Sequence, residues 1–454
     1  MSTSRLGRLA WYLRSGDVAW MAHRVRRALT GETPFPRPAP LVSRVVRKSA
    51  DGADVGRGGP LRLLVFSHNL DYEGASISLK ELVFGLKDRL AVAPRVVACS
   101  DGPLRAQYEA QGIRVHLMPD LQYPISTLRR LEREVRGIAE QIRVEKVDVV
   151  LVNTLLNFPV ILAAERAGVP SVWNPRESEP WQSYFRFLPD PVARQAIGAI
   201  GLPSRVVFVA EATRQVWKEF DDGGRFTVIH NSLDLSRFAE TLSGDKEAQR
   251  RSLGWGADEV AFLCVGTLCE RKGQADALVA LEEVAAQLRV PIRLVFVGDA
   301  ANRYGQRQQR RVRRERMPKV RVDFVDATVS IGRYYLASDV FLLCSRVESF
   351  PRVVLEALAF GLPIITTPVY GVAEQLPDPR DAYFYQPGDV VTLGAKMLAL
   401  ANNPDLRREL AQRSRARFAQ MPSFAQMVDA YERVLRVCAA STKFPAHDSA
   451  AKAA

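Results

Sequence analysis

Cysteine and histidine are both scarce in this chain, five of each among 454 residues. Cys99, Cys264, Cys269, Cys344 and Cys438 are scattered, and four of them follow or interrupt apolar runs. Reduced, packed thiols in a cytosolic compartment fit that spacing better than disulfides or a metal site. No apolar run reaches about 18 residues, so no membrane span is expected. The first residues lack the compact apolar core and cleavage site of an export signal, so a cytoplasmic location is expected. The basic core of the run between Tyr304 and Arg321 contains no interleaved aromatics on which bases could stack, and no nucleic-acid partner is expected.

What is present reads as an ordinary soluble composition, 47% hydrophobic and 25% charged, long enough for two or three domains. The net charge of +13 is uneven. Residues 1–48 carry ten Lys/Arg against Asp17 and Glu32, a net of +8, and residues 303–321 carry nine against Glu315, another +8, which leaves the remainder at −3. Residues 1–30 interleave Trp11, Trp20 and several leucines with six arginines, a basic amphipathic pattern that suits either an anionic membrane surface or packing on the protein's own body. The stretch 31–60 is rich in Pro and Gly and reads as a linker. The arginine-rich run 304–321 has too few apolar positions for a core helix and reads as a solvated helix face, ahead of a patch for a polyanion or lipid headgroups.

The most informative stretch is 340–375, VFLLCSRVESFPRVVLEALAFGLPIITTPVYGVAEQ. A buried-strand pattern over 340–343 leads into a polar loop holding Glu348. A helix follows, with Pro351 suited to its first position because the N–H missing from proline would be unpaired there. Glu356 lies on that helix, Gly361 and Pro363 end it, and a second apolar run begins at Ile364. Strand, loop, helix and strand form a βαβ unit, and open parallel sheets bind ligands where loops leave the carboxyl ends of strands. The free N–H groups around Phe350, Pro351, Arg352 and Val353 favour an anion, with two carboxylates placed to grip hydroxyl groups. Two glutamates at this spacing, taken alone, would pass for solvated charges.

The whole string resembles the nucleotide-sugar-binding segment of retaining glycosyltransferases of the GT-B fold, the glycosyltransferase family 4 type. It carries E-x7-E from Glu348 to Glu356, then E-A-L-A-x-G-L-P-I-I, then G-x-x-E ending at Glu374. The resemblance extends over about residues 61–438 and implies an α/β protein of two Rossmann-like, doubly wound parallel-sheet domains facing a cleft, with a C-terminal crossover helix. The expected division is a basic arm and linker at 1–60, an acceptor domain at 61–235, a donor domain at 236–421, a segment at 422–440 crossing back, and a disordered tail at 441–454.

Alternating apolar runs and helical stretches fit that layout, with strands expected near 61–68, 95–100, 113–118, 148–153, 206–210, 226–231, 260–266, 292–297 and 382–386. The stretch 239–256 reads as the crossing into the second domain. The loop Asn69 to Ala75 is similar to the family's first ligand loop, which makes Gly74 and Ala75 candidates for contact with donor phosphates and acceptor. Asn153-Thr154 and the loop from Trp173 to Glu179 are candidates for acceptor contact. The family often has a histidine in the second loop. None stands here, and Arg176 and Glu177 take its place as candidates or form a surface pair. Ile229 to Asp234 is similar to the family's N-G-V-D segment, with Ser232 where Gly is usual and His230 read as a hinge or packing residue. The family's G-R-x4-K-G pattern is matched at Lys272 and Gly273, but Thr267 replaces its Arg, and Arg271 is the nearest substitute.

The resemblance implies that Glu356 binds ribose hydroxyls, Glu348 the donor sugar, and Lys272 with Arg271 the diphosphate leaving group. No D-x-D pair occurs, consistent with cationic side chains doing what a metal does in other transferases, so no cofactor and no metal are expected. A nucleotide sugar and a glycan, polysaccharide or lipid-linked acceptor are the expected partners, with peripheral attachment at the cytoplasmic membrane face. The alternative is a membrane- or polyanion-binding protein on a degenerate scaffold. An epimerase on this fold would need placed histidines that the chain does not supply.

Overall fold

A computed structural model describes residues 61–440 apart from 91–92, 119–124, 222 and 315–316. The amphipathic arm, the linker and the C-terminal tail lie outside the described residues. Short runs of Val, Leu, Ile and Phe, apolar without alternation, form strands covered on both faces by helices, as parallel sheets require.

The first sheet has seven strands: β1 (Leu63–Ser67), β2 (Arg95–Ala98), β3 (Arg114–Leu117), β4 (Val149–Asn153), β5 (Ser171–Asn174), β6 (Arg205–Phe208) and β7 (Phe226–Val228). Their spatial order is β3-β2-β1-β4-β5-β6-β7. The second has six: β8 (Val260–Val265), β9 (Ile292–Val297), β10 (Val320–Val325), β11 (Val340–Leu343), β12 (Ile364–Thr366) and β13 (Tyr383–Phe384). These run in the order β10-β9-β8-β11-β12-β13. Every pairing is parallel. The strand order reverses between β1 and β4 in one sheet and between β8 and β11 in the other, and such reversals open ligand crevices at the carboxyl ends. The protein therefore has the α/β, GT-B arrangement of two Rossmann-like domains.

The helix Phe424–Ala440 ends the described chain and returns to the first domain. Met427, Val428, Tyr431, Leu435 and Cys438 form its buried stripe, in one core with β1 and β2. This is helical spacing, and each large apolar side chain so buried contributes about 1.5–3 kcal/mol. The hydroxyl of Tyr431 donates to Asn174 Oδ1 at 3.1 Å.

Two elements differ from the sequence reading. The stretch 239–256 forms helices Ala239–Leu242 and Lys246–Ser252 built onto the second sheet. Buried Arg250 and the more exposed Lys246 both bond Asp339, just before β11, at 2.9 and 2.7 Å. Strand β10 is hidden behind the arginine-rich run because V-R-V-D-F-V lies at the sheet edge and Arg321 and Asp323 interrupt its apolar residues. The basic run itself is helical over Arg303–Arg314, with Tyr304 and Gln308 buried beneath an exposed arginine face. All five cysteines are free, and only Cys269 is not fully buried. Among the described residues no helix is long and apolar enough to cross a membrane.

Candidate active site

The second crevice is built where β8 and β11 end. Gly266 and Gly298 both have left-handed φ, +137° and +151°, and a Cβ on Gly298 would overlap the Gly266 carbonyl. The bare backbone there leaves room for the aliphatic stem of Lys272, which passes Gly266. Gly273, at φ +63°, turns the chain into the helix Gln274–Val284, and a side chain there would strike Arg346 and the Cys344 carbonyl. The two loops are stitched together, since Arg346 N donates to Arg271 O at 2.8 Å and its guanidinium grips Asp276 at 3.0 and 3.1 Å.

Lys272 Nζ lies 2.5 Å from Glu348 Oε1, and the Ser345 hydroxyl donates to the same oxygen at 2.6 Å. Glu348 is buried, its side chain 8% exposed. Burial works against its charge, yet Lys272, Arg271 and the Ser345 hydrogen bond hold its carboxyl below the usual range. Arg271 is exposed at the rim and donates to Val347 O at 3.1 Å, and Thr267 is exposed as well.

Pro351 proves to be the capping residue of the next helix, Arg352–Ala359, with extended backbone, and not its first helical residue. Glu356 is buried one turn in. The hydroxyl of Tyr335 donates to its Oε2 at 2.9 Å, and Arg237 pairs with its Oε1. The four residues preceding Val354 have distinct surroundings. Phe350 stacks on His230 with ring centroids 4.7 Å apart, and its carbonyl accepts from Asn231. The Pro351 carbonyl accepts from Gln375, and Val353 is half-buried. Arg352 reaches into the other domain, where it bonds Glu81 at 2.9 Å and Ser78 at 3.3 Å.

On the first domain, Gly74 opens the helix Gly74–Lys87 two residues earlier than the sequence pattern suggested, with open space around its Cα. Ala75 O accepts from Asn153 at 3.3 Å. Arg176 and Glu177 are not a solvated surface pair. Arg176 donates to Asn153 at 2.9 Å and Asn231 at 2.6 Å, while Glu177 accepts from Leu155 N, Arg176 N and the Tyr184 hydroxyl. Burial pushes the Glu177 carboxyl up, against those backbone bonds. His68, which sequence reasoning passed over, follows β1 and bonds Glu73 at 3.2 Å. That bond, and beyond it the charge of Arg271 across the crevice, hold the exposed Glu73 carboxyl below its usual range. The strand-end rule applied to β1 would have found His68. Thr154, at the end of β4, holds φ +67° without being glycine, the kind of strain that collects at functional sites.

Several bonds close the hinge side. Glu374 accepts from Glu211 N at 2.9 Å and Ala212 N at 2.6 Å and bonds His230 at 3.2 Å. Burial opposes its charge, but His230 and those two N–H groups keep it below the usual range. The Ser349 hydroxyl donates to Arg176 O at 2.6 Å. The E-x7-E pair, Lys272 and the loops of the first domain thus share one interdomain crevice.

A parallel-sheet pair with charged loops meeting at both switch points defines the GT-B fold class, and the comparisons supply the family. Residues 72–237 match the model described as Glycosyltransferase Family 4, and residues 245–417 match Glycosyl transferases group 1. The chain belongs to the glycosyltransferases of this type. It is 29% identical over 292 residues to D-inositol 3-phosphate glycosyltransferase 2 of Catenulispora acidiphila, 60% of this chain and 67% of that one. It is 31% identical to the putative teichuronic acid biosynthesis glycosyltransferase TuaC of Bacillus subtilis over 38% of this chain and 41% of the relative. It is 27% identical to a GDP-mannose-dependent monoacylated alpha-(1-6)-phosphatidylinositol monomannoside mannosyltransferase of Corynebacterium glutamicum, over 50% and 60% of the two chains. The matched stretches thus span 41 to 67% of these relatives' lengths. Among solved structures, Anabaena Alr3699/HepE in complex with UDP-glucose superposes with TM-score 0.70 at 20% identity, covering 83% of this chain and 99% of that one. WaaG, a glycosyltransferase involved in lipopolysaccharide biosynthesis, gives 0.62 at 16%, covering 82% and 99%. At these identities the two structures speak for the fold alone.

Proposed function

We propose that the chain is a retaining glycosyltransferase that moves a sugar from a nucleotide-diphosphate sugar to a glycan, polysaccharide or lipid-linked acceptor. The observation that carries this reading is the Lys272–Glu348 ion pair at the second crevice, its Glu348 on the loop that leads into the helix carrying Glu356. Glu356 takes the ribose hydroxyls and Glu348 the hydroxyls of the donor sugar. Lys272, with Arg271 at the rim, meets the negative charge that builds on the departing diphosphate, where fixed cations act most strongly. The bond from the anomeric carbon to the diphosphate breaks with its electron pair leaving on the phosphate oxygen. The acceptor oxygen attacks from the same face, and its proton passes to that phosphate, so no protein nucleophile is needed. Arg176, Glu177, Gly74 and Ala75 face the acceptor.

The names of the relatives support a hydroxylated acceptor, free or lipid-linked. The arm at 1–30 would bring the protein to an anionic bilayer, a role that flotation of the full chain against one starting at Gly59 tests. Thermal-shift screening against UDP, GDP, ADP and their sugars tests the main reading. A bound nucleotide at a hundredfold over its Kd adds about 2.7 kcal/mol of stability. No shift with any of them overturns the proposal and leaves a degenerate scaffold.

A further inference from the structure

Glu356 is held more elaborately than a ribose ligand alone requires. Its two oxygens have different keepers: the hydroxyl of fully buried Tyr335 on Oε2, and Arg237 on Oε1. Tyr335 sits on the helix Gly332–Ala337, which leads into β11. Arg237 comes from the connection between the two domains, lies over the Phe238 ring at 4.1 Å, and is 27% exposed. Arg237 also faces the first domain, with Nε 3.7 Å from Glu81 Oε1. Glu81, 4% exposed, is the carboxylate that Arg352 grips from one turn before Glu356. Its Oε2 is buried with no hydrogen-bond partner. Two cations and two carboxylates thus form one closed cluster, Glu81 from the first domain, Arg352 and Glu356 from the second and Arg237 from the connection between them, with Arg352 3.8 Å from Glu356 as its fourth edge.

Each carboxylate oxygen has two acceptor positions, so the bonds from Tyr335 and Arg237 leave one on each oxygen for a ligand hydroxyl. They also fix the plane of the group, which decides whether two adjacent hydroxyls can bond it together. We propose that Arg237 and Tyr335 are positioning residues that hold Glu356 in the orientation that reads a ribose, and that Arg237, through Glu81, makes that orientation depend on the seating of the first domain. The inference rests on the donor-binding role given above to Glu356. It adds that ribose recognition is set partly by residues that never touch the ribose.

The readout that separates positioning from mere support is discrimination between a ribonucleotide and its 2′-deoxy analogue. Calorimetric titration of the full chain with UDP, GDP and ADP identifies the tightest nucleoside diphosphate, and its 2′-deoxy form is then titrated alongside. The wild type should prefer the ribonucleotide by about tenfold or more. Tyr335→Phe and Arg237→Ala should each weaken the ribonucleotide several-fold, with little effect on the deoxy form, so that the preference collapses. Arg237→Lys should recover part of it. Glu81→Gln should reduce the preference in the wild type but not in Arg237→Ala, because its effect runs through Arg237. Equal weakening of both nucleotides, with the preference intact, would mean that these residues only support the fold, and the inference fails while the donor site stands. A wild type that binds a nucleotide without ribose preference removes the ribose role of Glu356 and this inference with it. A wild type that binds none of the three overturns the donor reading itself.

Discussion

Removing Lys272 should cost far more stability than removing a surface lysine, and the structure sets the size of the loss. Glu348 is 8% exposed and Lys272 17%, with 2.5 Å between the charged atoms. Taking away one partner of a buried pair costs about 3–5 kcal/mol, because the other charge stays desolvated. Ser345 and the charge of Arg271 remain, so the lower end, about 3 kcal/mol, applies to Lys272→Ala. At about 2–4 °C per kcal/mol for a domain of this size, Tm falls by about 6–12 °C. The sign of the pH dependence follows from the depressed carboxyl. The stabilisation from Glu348 is complete above its unfolded value, about 4.3, and is lost as pH falls through the lower folded value. The gap between wild type and Lys272→Ala should therefore be widest near neutral pH and close in acid. The double variant Lys272→Ala with Glu348→Gln should be more stable than Lys272→Ala alone, since it leaves no buried orphan charge. Scanning calorimetry across pH checks all three points. A gap under about 1 °C at neutral pH, a gap independent of pH, or a double variant no better than the single one would refute the argument.

Glu356→Ala should weaken nucleotide binding by about 1.5–3 kcal/mol, the usual range for a hydrogen bond to a charged group, measured by calorimetry on a folded variant. Arg271→Ala should lower turnover more than nucleoside affinity if Arg271 fills the role vacated at Thr267; wild-type turnover would assign the clamp to Lys272 alone. Gly371→Ala should destabilise the protein by about 1–3 kcal/mol in chemical denaturation, because its Cβ would overlap the Ser349 carbonyl and force the hinge-side loops apart. Arg352→Ala should cost at least as much, since it strands Glu81 in a buried interface.

The parts of this protein that could be read in the sequence are those governed by neighbours along the chain. Runs such as Leu63–Ser67 and Ile292–Val297 are buried on both faces and cannot be mistaken for alternating strands. The glycines and prolines around Arg352–Ala359 bracket its helix to within a residue. The helix Val390–Asn402 begins and ends where its apolar spacing does. What escaped is long-range. The side-chain partner of Arg352, Glu81, lies 271 residues away, beyond the reach of any local pattern. The surface-pair alternative for Arg176–Glu177 failed because the partners that bury them, Asn153, Asn231 and Leu155, come from other strand ends. Strand β10 escaped because an edge strand is half-exposed and loses the signature of its buried neighbours. Glu374 finds its partners, Glu211 N and Ala212 N, only once the domains are apposed, because they lie 163 and 162 residues away.

The central claim is that the crevice between the two sheets binds a nucleotide-diphosphate sugar through Lys272, Glu348 and Glu356. Calorimetric titration of the full chain with UDP-glucose, GDP-mannose and ADP-glucose, repeated on Glu356→Ala and Lys272→Ala, tests it directly. The expected result is one saturable site for one of the three, weakened about tenfold or more in Glu356→Ala, the equivalent of about 1.4 kcal/mol, and weakened in Lys272→Ala as well. Binding of none of them, or binding unchanged in both folded variants, would contradict it.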